Sequence, residues 1–119
     1  MTINTEQPLV SILVRTCQRP DVLRRALDSI WEQTYSNIEV VIVEDGKNAS
    51  EDYLRQQYQG KNYKYQATVE KIGRSAAGNR AMAMATGEYL NFLDDDDMLF
   101  PGHVETLVSR LIEEPNLAA

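Results

Sequence analysis

Two nearly unbroken apolar runs, Leu9-Val10-Ser11-Ile12-Leu13-Val14 and Ile38-Glu39-Val40-Val41-Ile42-Val43, stand out from an otherwise mixed chain. Both are short and rich in β-branched residues, which predicts strands covered on both faces. Between them Pro20 suits a first helical turn. Val22, Leu23, Ala26, Leu27, Ile30 and Trp31 then recur at helical spacing down to Gln33, predicting an amphipathic helix. The second strand closes on Glu44-Asp45-Gly46, a turn signal. Ser50 is placed to cap a short helix running to about Tyr58, with Gly60 as its stop, and Tyr63 to Ala67 reads as a third strand. The alanine-rich stretch Ala76 to Ala85 predicts a helix that ends at Thr86-Gly87. Glu88 to Leu93 is a fourth strand running into four aspartates, and Pro101 opens a last helix reaching about Glu114, before Pro115. Trp31 and Phe92 are expected in the core, and Tyr53, Tyr58, Tyr63 and Tyr65 beside the third strand.

Strands alternating with helices imply βαβ units and a parallel sheet, so the loops that follow the strands gather along one edge. Ligands of open α/β sheets bind there. The polar clusters Thr16 to Arg19, Glu44 to Gly46 and Asp94 to Asp97 each follow a strand, and are therefore expected to converge despite their separation in sequence.

Composition narrows the partners. With 119 residues, of which 43% are hydrophobic, the chain can bury one core, so residues 1–119 are read as one domain or a piece of a larger one. A net charge of −6 argues against nucleic acid. One cysteine, Cys17, precludes an internal disulfide, and no secretory signal opens the chain, making the cytoplasm the expected compartment. No apolar run approaches the roughly 18 residues needed to cross a bilayer. Membrane association of a longer parent stays open.

The most specific chemistry lies in Asp94-Asp95-Asp96-Asp97. Adjacent carboxylates repel one another, and a hard divalent cation, Mn²⁺ or Mg²⁺, relieves that repulsion while keeping positions for substrate phosphates. In an extended segment alternate side chains point the same way, so Asp94 and Asp96 are the expected metal ligands. The bland alternative is a solvated acidic loop. An EF-hand is excluded, because its alternating ligands, central glycine and closing glutamate are missing.

Four segments, in order, carry a resemblance: Val10 to Thr16, Ala26 to Tyr35, Val41 to Gly46 and Ala85 to Asp97. Together they resemble glycosyltransferase family 2, over roughly Pro8 to Leu111. The resemblance implies a three-layer α/β/α, Rossmann-like GT-A fold, the nucleotide-diphospho-sugar transferase fold, with a mainly parallel sheet. It implies transfer of a sugar from a nucleotide-diphosphate sugar, a UDP-sugar by default, to an unidentified saccharide, lipid or protein acceptor, as in cell-envelope polysaccharide synthesis. By position, Asp94 and Asp95 belong to the aspartate motif that binds ribose and metal, with Asp96 the main metal ligand. Asp45 maps onto the nucleobase contact, Thr16 lines the base, and Arg19 approaches phosphate. The implied reaction is an inverting displacement at the anomeric carbon.

Some positions depart from the family pattern. Gly78 stands where Ala-Arg-Asn has its arginine, with Arg74 or Arg80 as candidate substitutes; Arg15 stands where proline is common, and Lys71 where asparagine is common. Gly73 to Arg80 has P-loop glycine spacing without the lysine that loop needs. Cys17 lacks a partner signature for a nucleophile, and His103 is at most an accessory to the metal. In this family the general base lies beyond the aspartate motif. The chain is therefore expected to be a truncated donor-binding half with little or no transfer of its own, a binding-only module being the alternative, and an open sheet edge allows a homodimer.

Overall fold

The structure is a computed structural model that describes residues 7–114. Eight elements alternate along the chain: β1 (Val10–Thr16), α1 (Pro20–Trp31), β2 (Ile38–Glu44), α2 (Glu51–Gln57), β3 (Tyr63–Ala67), α3 (Arg74–Met84), β4 (Tyr89–Asp94) and α4 (His103–Glu113). The strands form a four-stranded sheet in the order β3-β2-β1-β4, every pair parallel. The register sets Arg15 opposite Asp94, and Thr16 opposite Glu44, at one end of the sheet.

Strand alternation divides the core between two faces. Val10, Ile12, Val14, Val40, Ile42 and Leu93 turn toward α1, α2 and α4, packing with Leu23, Leu27, Ile30, Leu54, Val104 and Val108. Leu13, Val41 and Val43 turn toward α3, where the buried Ala77 and Ala81 meet them and the half-buried Met84 and Ala85 pack at the side. Alanines let that helix lie close to the sheet. The result is the expected three-layer α/β/α arrangement.

The helix boundaries differ in detail. Ser50 does not cap α2: its hydroxyl is buried without a partner, and Asn48 Oδ1 instead accepts from the Ser50 and Glu51 N–H groups at 3.2 and 3.0 Å. The Asx turn thus satisfies the amides of Ser50 and of the first helical residue, Glu51, rather than those a serine cap would meet one turn further in. α3 starts two residues early, at Arg74, and α4 two residues late, at His103. Pro115 lies outside the described residues. Phe92 is 46% exposed rather than in the core, because α3 covers β1 and β2 and leaves that face of β4 open. Trp31 packs against the core as expected. Among the described residues no helix is long and apolar enough to cross a membrane.

Opposite the strand ends, a polar clasp locks the sheet. Glu39 is buried on β2 and accepts from Ser11 Oγ at 2.6 Å, the Thr86 N–H and hydroxyl at 2.9 Å each, and Lys64 Nζ at 2.9 Å. Burial alone raises a carboxylic acid, but these donors outweigh it and hold the Glu39 carboxyl at about 2. A depressed carboxyl contributes stability above its unfolded value of 4.5 that is lost as pH falls toward 2. Thermal melts across that window are therefore expected to show a shallower acid loss for Glu39→Gln than for the wild type.

Candidate nucleotide-sugar site

β1, β2 and β4 end together, and the loops after them build one open cavity of about 360 Å³. Thr16, Arg19, Asp45, Arg74, Asp94, Asp95 and Asp96, all expected from the sequence, line it. They are joined by Arg15, Cys17, Lys71, Gly73 and Ala77. Four basic side chains (Arg15, Arg19, Lys71 and Arg74) thus face four aspartates across a single space, and the convergence of loops expected of a parallel sheet is realised.

Pairing within the site is specific. Asp95 is buried and accepts from Thr16 Oγ1 at 2.8 Å, Arg19 Nε at 2.9 Å and Arg19 Nη2 at 2.6 Å. This bidentate ion pair raises the Arg19 guanidinium, first through the hydrogen bond and then through the charge of Asp95. Asp94 holds two arginines, Arg15 Nη2 on Oδ1 at 2.8 Å and Arg74 Nη2 on Oδ2 at 2.9 Å. Burial opposes ionisation there, but the hydrogen bonds from Arg15 and then Arg74 prevail and lower the Asp94 carboxyl. Of the two substitutes considered for the missing arginine at 78, Arg74 is the one that faces the cavity. Asp45 is buried, its oxygens taken by the Ile72 and Gly73 amides at 2.7 and 3.1 Å. It thereby fixes the loop that leads into α3.

Asp94, Asp96 and Asp97 each offer an oxygen within 4.8 Å of the others. The extended alternation expected for Asp94 and Asp96 is not how they meet: β4 ends at Asp94, and a turn closed by the Asp97 N–H on the Asp94 carbonyl at 3.0 Å folds the three together. Asp97 is thereby added to the group, while Asp95 points inward to Arg19. All-oxygen donors of this kind suit Mg²⁺ or Mn²⁺. His103 stands apart, its ring 3.3 Å from Asn91 Oδ1. Tyr58 and Tyr65 bond Asp28 and Glu44, away from the cavity. Arg15 was visible in the sequence only as a departure from pattern; its signal is a charged residue near the end of an otherwise buried strand.

The fold is that of the GT-A glycosyltransferases. The crystal structure of S. aureus TarS 1-349 in complex with UDP-GlcNAc superimposes with a TM-score of 0.80 at 23% identity, over 89% of this chain and 32% of that one. The mannosyltransferase PcManGT from Pyrobaculum calidifontis, in complex with GDP-Man and Mn²⁺, does so with a TM-score of 0.74 at 24% identity, over 89% and 32%. The chain belongs to glycosyl transferase family 2, whose model matches residues 11–119. Among its relatives, the glycosyltransferase GlyA of Streptococcus pneumoniae serotype 4 is 32% identical over 105 residues, which are 87% of this chain and 15% of GlyA. The chain spans about a third or less of the length of these relatives.

Proposed function

We propose that this chain carries the donor site of an inverting, metal-dependent glycosyltransferase that takes its sugar from a nucleoside-diphosphate sugar, with UDP as the default carrier. The observation that carries the reading is the shared cavity in which Arg19, Arg74 and Lys71 line the same space as Asp94, Asp95 and Asp96. Cations placed beside a carboxylate metal site match a diphosphate bridged to a divalent ion. The neighbouring structures with UDP-GlcNAc and with GDP-Man and Mn²⁺ support the same class of ligand.

In this reading Asp96, with Asp94 and Asp97, holds Mn²⁺ or Mg²⁺. When bound, the ion supplies a Lewis acid to the departing diphosphate. The chain's own groups do the positioning. Thr16 and Asp45 form the base side of the cavity, Asp95 holds Arg19 in place, and the arginines balance phosphate charge. No general base or acceptor contact is assigned among the residues lining this cavity.

Calorimetric titration of UDP, with and without Mn²⁺, tests the reading on the wild type and on Asp96→Ala, with GDP and dTDP as controls. Metal-dependent UDP binding that weakens at least about tenfold in Asp96→Ala is the expected result, equivalent to about 1.4 kcal/mol. Equal binding in the presence of a chelator, or unchanged binding by Asp96→Ala, rejects it.

A further inference from the structure

Gly78 occupies the middle of α3, where glycine is a poor helix residue and so calls for a reason. A Cβ added there would have Arg15 Cδ and Nη1 as its nearest neighbours, each at 3.6 Å, with Phe92 Cε1 at 3.7 Å. A methyl group fits, but the space into which any longer side chain would extend is occupied by Arg15. That side chain crosses from β1 with its guanidinium carbon 5.6 Å over the Phe92 ring and Nη2 on Asp94. Its Nε is buried and has no hydrogen-bond partner. A buried N–H without an acceptor is costly, and rare unless a ligand or water completes it. Arg15 also borders two cavities, the one shared by the aspartates and a second lined by Ser75, Gly78, Asn79 and Phe92.

We infer that Arg15 is a diphosphate-binding residue of this chain, and that position 78 is glycine so that Arg15 can lie across α3. The two departures at Arg15 and Gly78 are then one feature, a guanidinium delivered from the strand instead of from the helix. The inference rests on the donor-site reading above and deepens it. Arg15 and Arg74 occupy both oxygens of Asp94, the carboxylate that also belongs to the metal group. A diphosphate offers these arginines several charged oxygens, in pairs whose spacing matches the planar, bidentate fork of a guanidinium. Its arrival draws them from Asp94 and frees that carboxylate for the cation. Nucleotide and metal therefore bind cooperatively, each strengthening the other.

The test uses calorimetric titration of UDP, inorganic pyrophosphate and uridine with Mn²⁺ present, on the wild type, Arg15→Ala, Gly78→Leu and the double variant Arg15→Ala/Gly78→Arg, each checked for folding by thermal melt. Arg15→Ala is expected to weaken UDP and pyrophosphate about tenfold or more while uridine is held as before, since only charge-assisted contacts are lost. Gly78→Leu, which keeps Arg15 but displaces it, gives the same split, and the double variant regains most of the pyrophosphate affinity. Should Arg15→Ala fail to fold, Gly78→Leu decides alone. Unchanged pyrophosphate binding in folded Arg15→Ala or Gly78→Leu overturns the inference, as does a parallel loss of uridine, which marks a structural role. If Asp96→Ala still weakens metal-dependent UDP binding at least about tenfold in those cases, the donor-site reading survives. A wild-type chain that binds no UDP overturns both.

Discussion

Gly87→Ala is expected to destabilise the chain by roughly 3 kcal/mol, read as a melting temperature lower by about 10 °C, although it adds a single methyl group. A Cβ at position 87 would lie 2.5 Å from Ser11 Oγ, 2.7 Å from Ser11 N and 3.0 Å from the Leu9 carbonyl oxygen. Two of these atoms are backbone, in β1 or on the residue just before it, and cannot swing aside. The third is committed, for Ser11 Oγ accepts from the Gly87 N–H at 2.8 Å and donates to Glu39 at 2.6 Å. Relief therefore requires β4 to move off β1 where the Glu88 N–H bonds the Leu9 carbonyl at 2.7 Å, or requires the Glu39 clasp to open and leave a buried carboxylate short of a donor. Gly102→Ala is the matched comparison. A Cβ there meets nothing within 4 Å, so this substitution carries only the modest cost of alanine at the N-cap of α4, and its melt is expected to fall far less than that of Gly87→Ala. Equal melts for Gly87→Ala and Gly102→Ala would show that the clasp yields without cost.

Most of the architecture was legible because it depends on patterns the sequence states openly. Two β-branched apolar runs and two helical periodicities impose the alternation, and alternation imposes a parallel sheet with its loops on one edge. Thr16, Arg19, Asp45 and the aspartates follow those strands and are expected together on that ground, whereas Arg74 enters only through the family resemblance, with Arg80 as its alternative. What escaped depends on side-chain partners far apart in sequence. Ser11 and Glu39 read as blemishes in apolar strands, yet they form the clasp that fixes Thr86-Gly87. The roles within Asp94 to Asp97 depend on where β4 stops: one residue of turn sends Asp95 inward to Arg19 and gathers Asp97 with Asp94 and Asp96. Phe92 is apolar and sits on a strand, but which face a single short helix leaves uncovered is a property of the assembled layers. Arg15 and Gly78, 63 positions apart by subtraction of their numbers, acquire meaning only as neighbours.

Glu44→Ala is expected to cost both stability and nucleotide affinity, because this carboxylate organises the loop edge from beneath. It is fully buried at the end of β2. Its Oε2 accepts from the Gln18 N–H at 2.9 Å, and its Oε1 accepts from the Ala49 N–H at 3.0 Å and from the Tyr65 hydroxyl. Burial, then Glu44 itself, push the Tyr65 hydroxyl up, so it remains a donor across the working pH range. Gln18 has a φ of 57°, a left-handed conformation unusual for a side chain of its size, and the bond to Glu44 helps hold it there. Next along the chain is Arg19, the partner of Asp95. Removing the carboxylate leaves the Gln18 and Ala49 amides unsatisfied at about 1–3 kcal/mol each before relaxation, while the Tyr65 hydroxyl keeps Asn48 Oδ1 at 3.0 Å; the loss is a large share of a small domain's roughly 5–15 kcal/mol. Glu44→Gln keeps the volume but turns one oxygen into a donor facing other donors, so it is expected to fall between alanine and wild type. Chemical denaturation ranks the three proteins, and UDP titration at a temperature where all are folded shows whether Arg19 loses its placement. If Glu44→Ala destabilises while leaving UDP affinity intact, the Gln18 turn is held by the Gln18 Nε2 bond to the Lys47 carbonyl instead, and the route from β2 to Arg19 is broken.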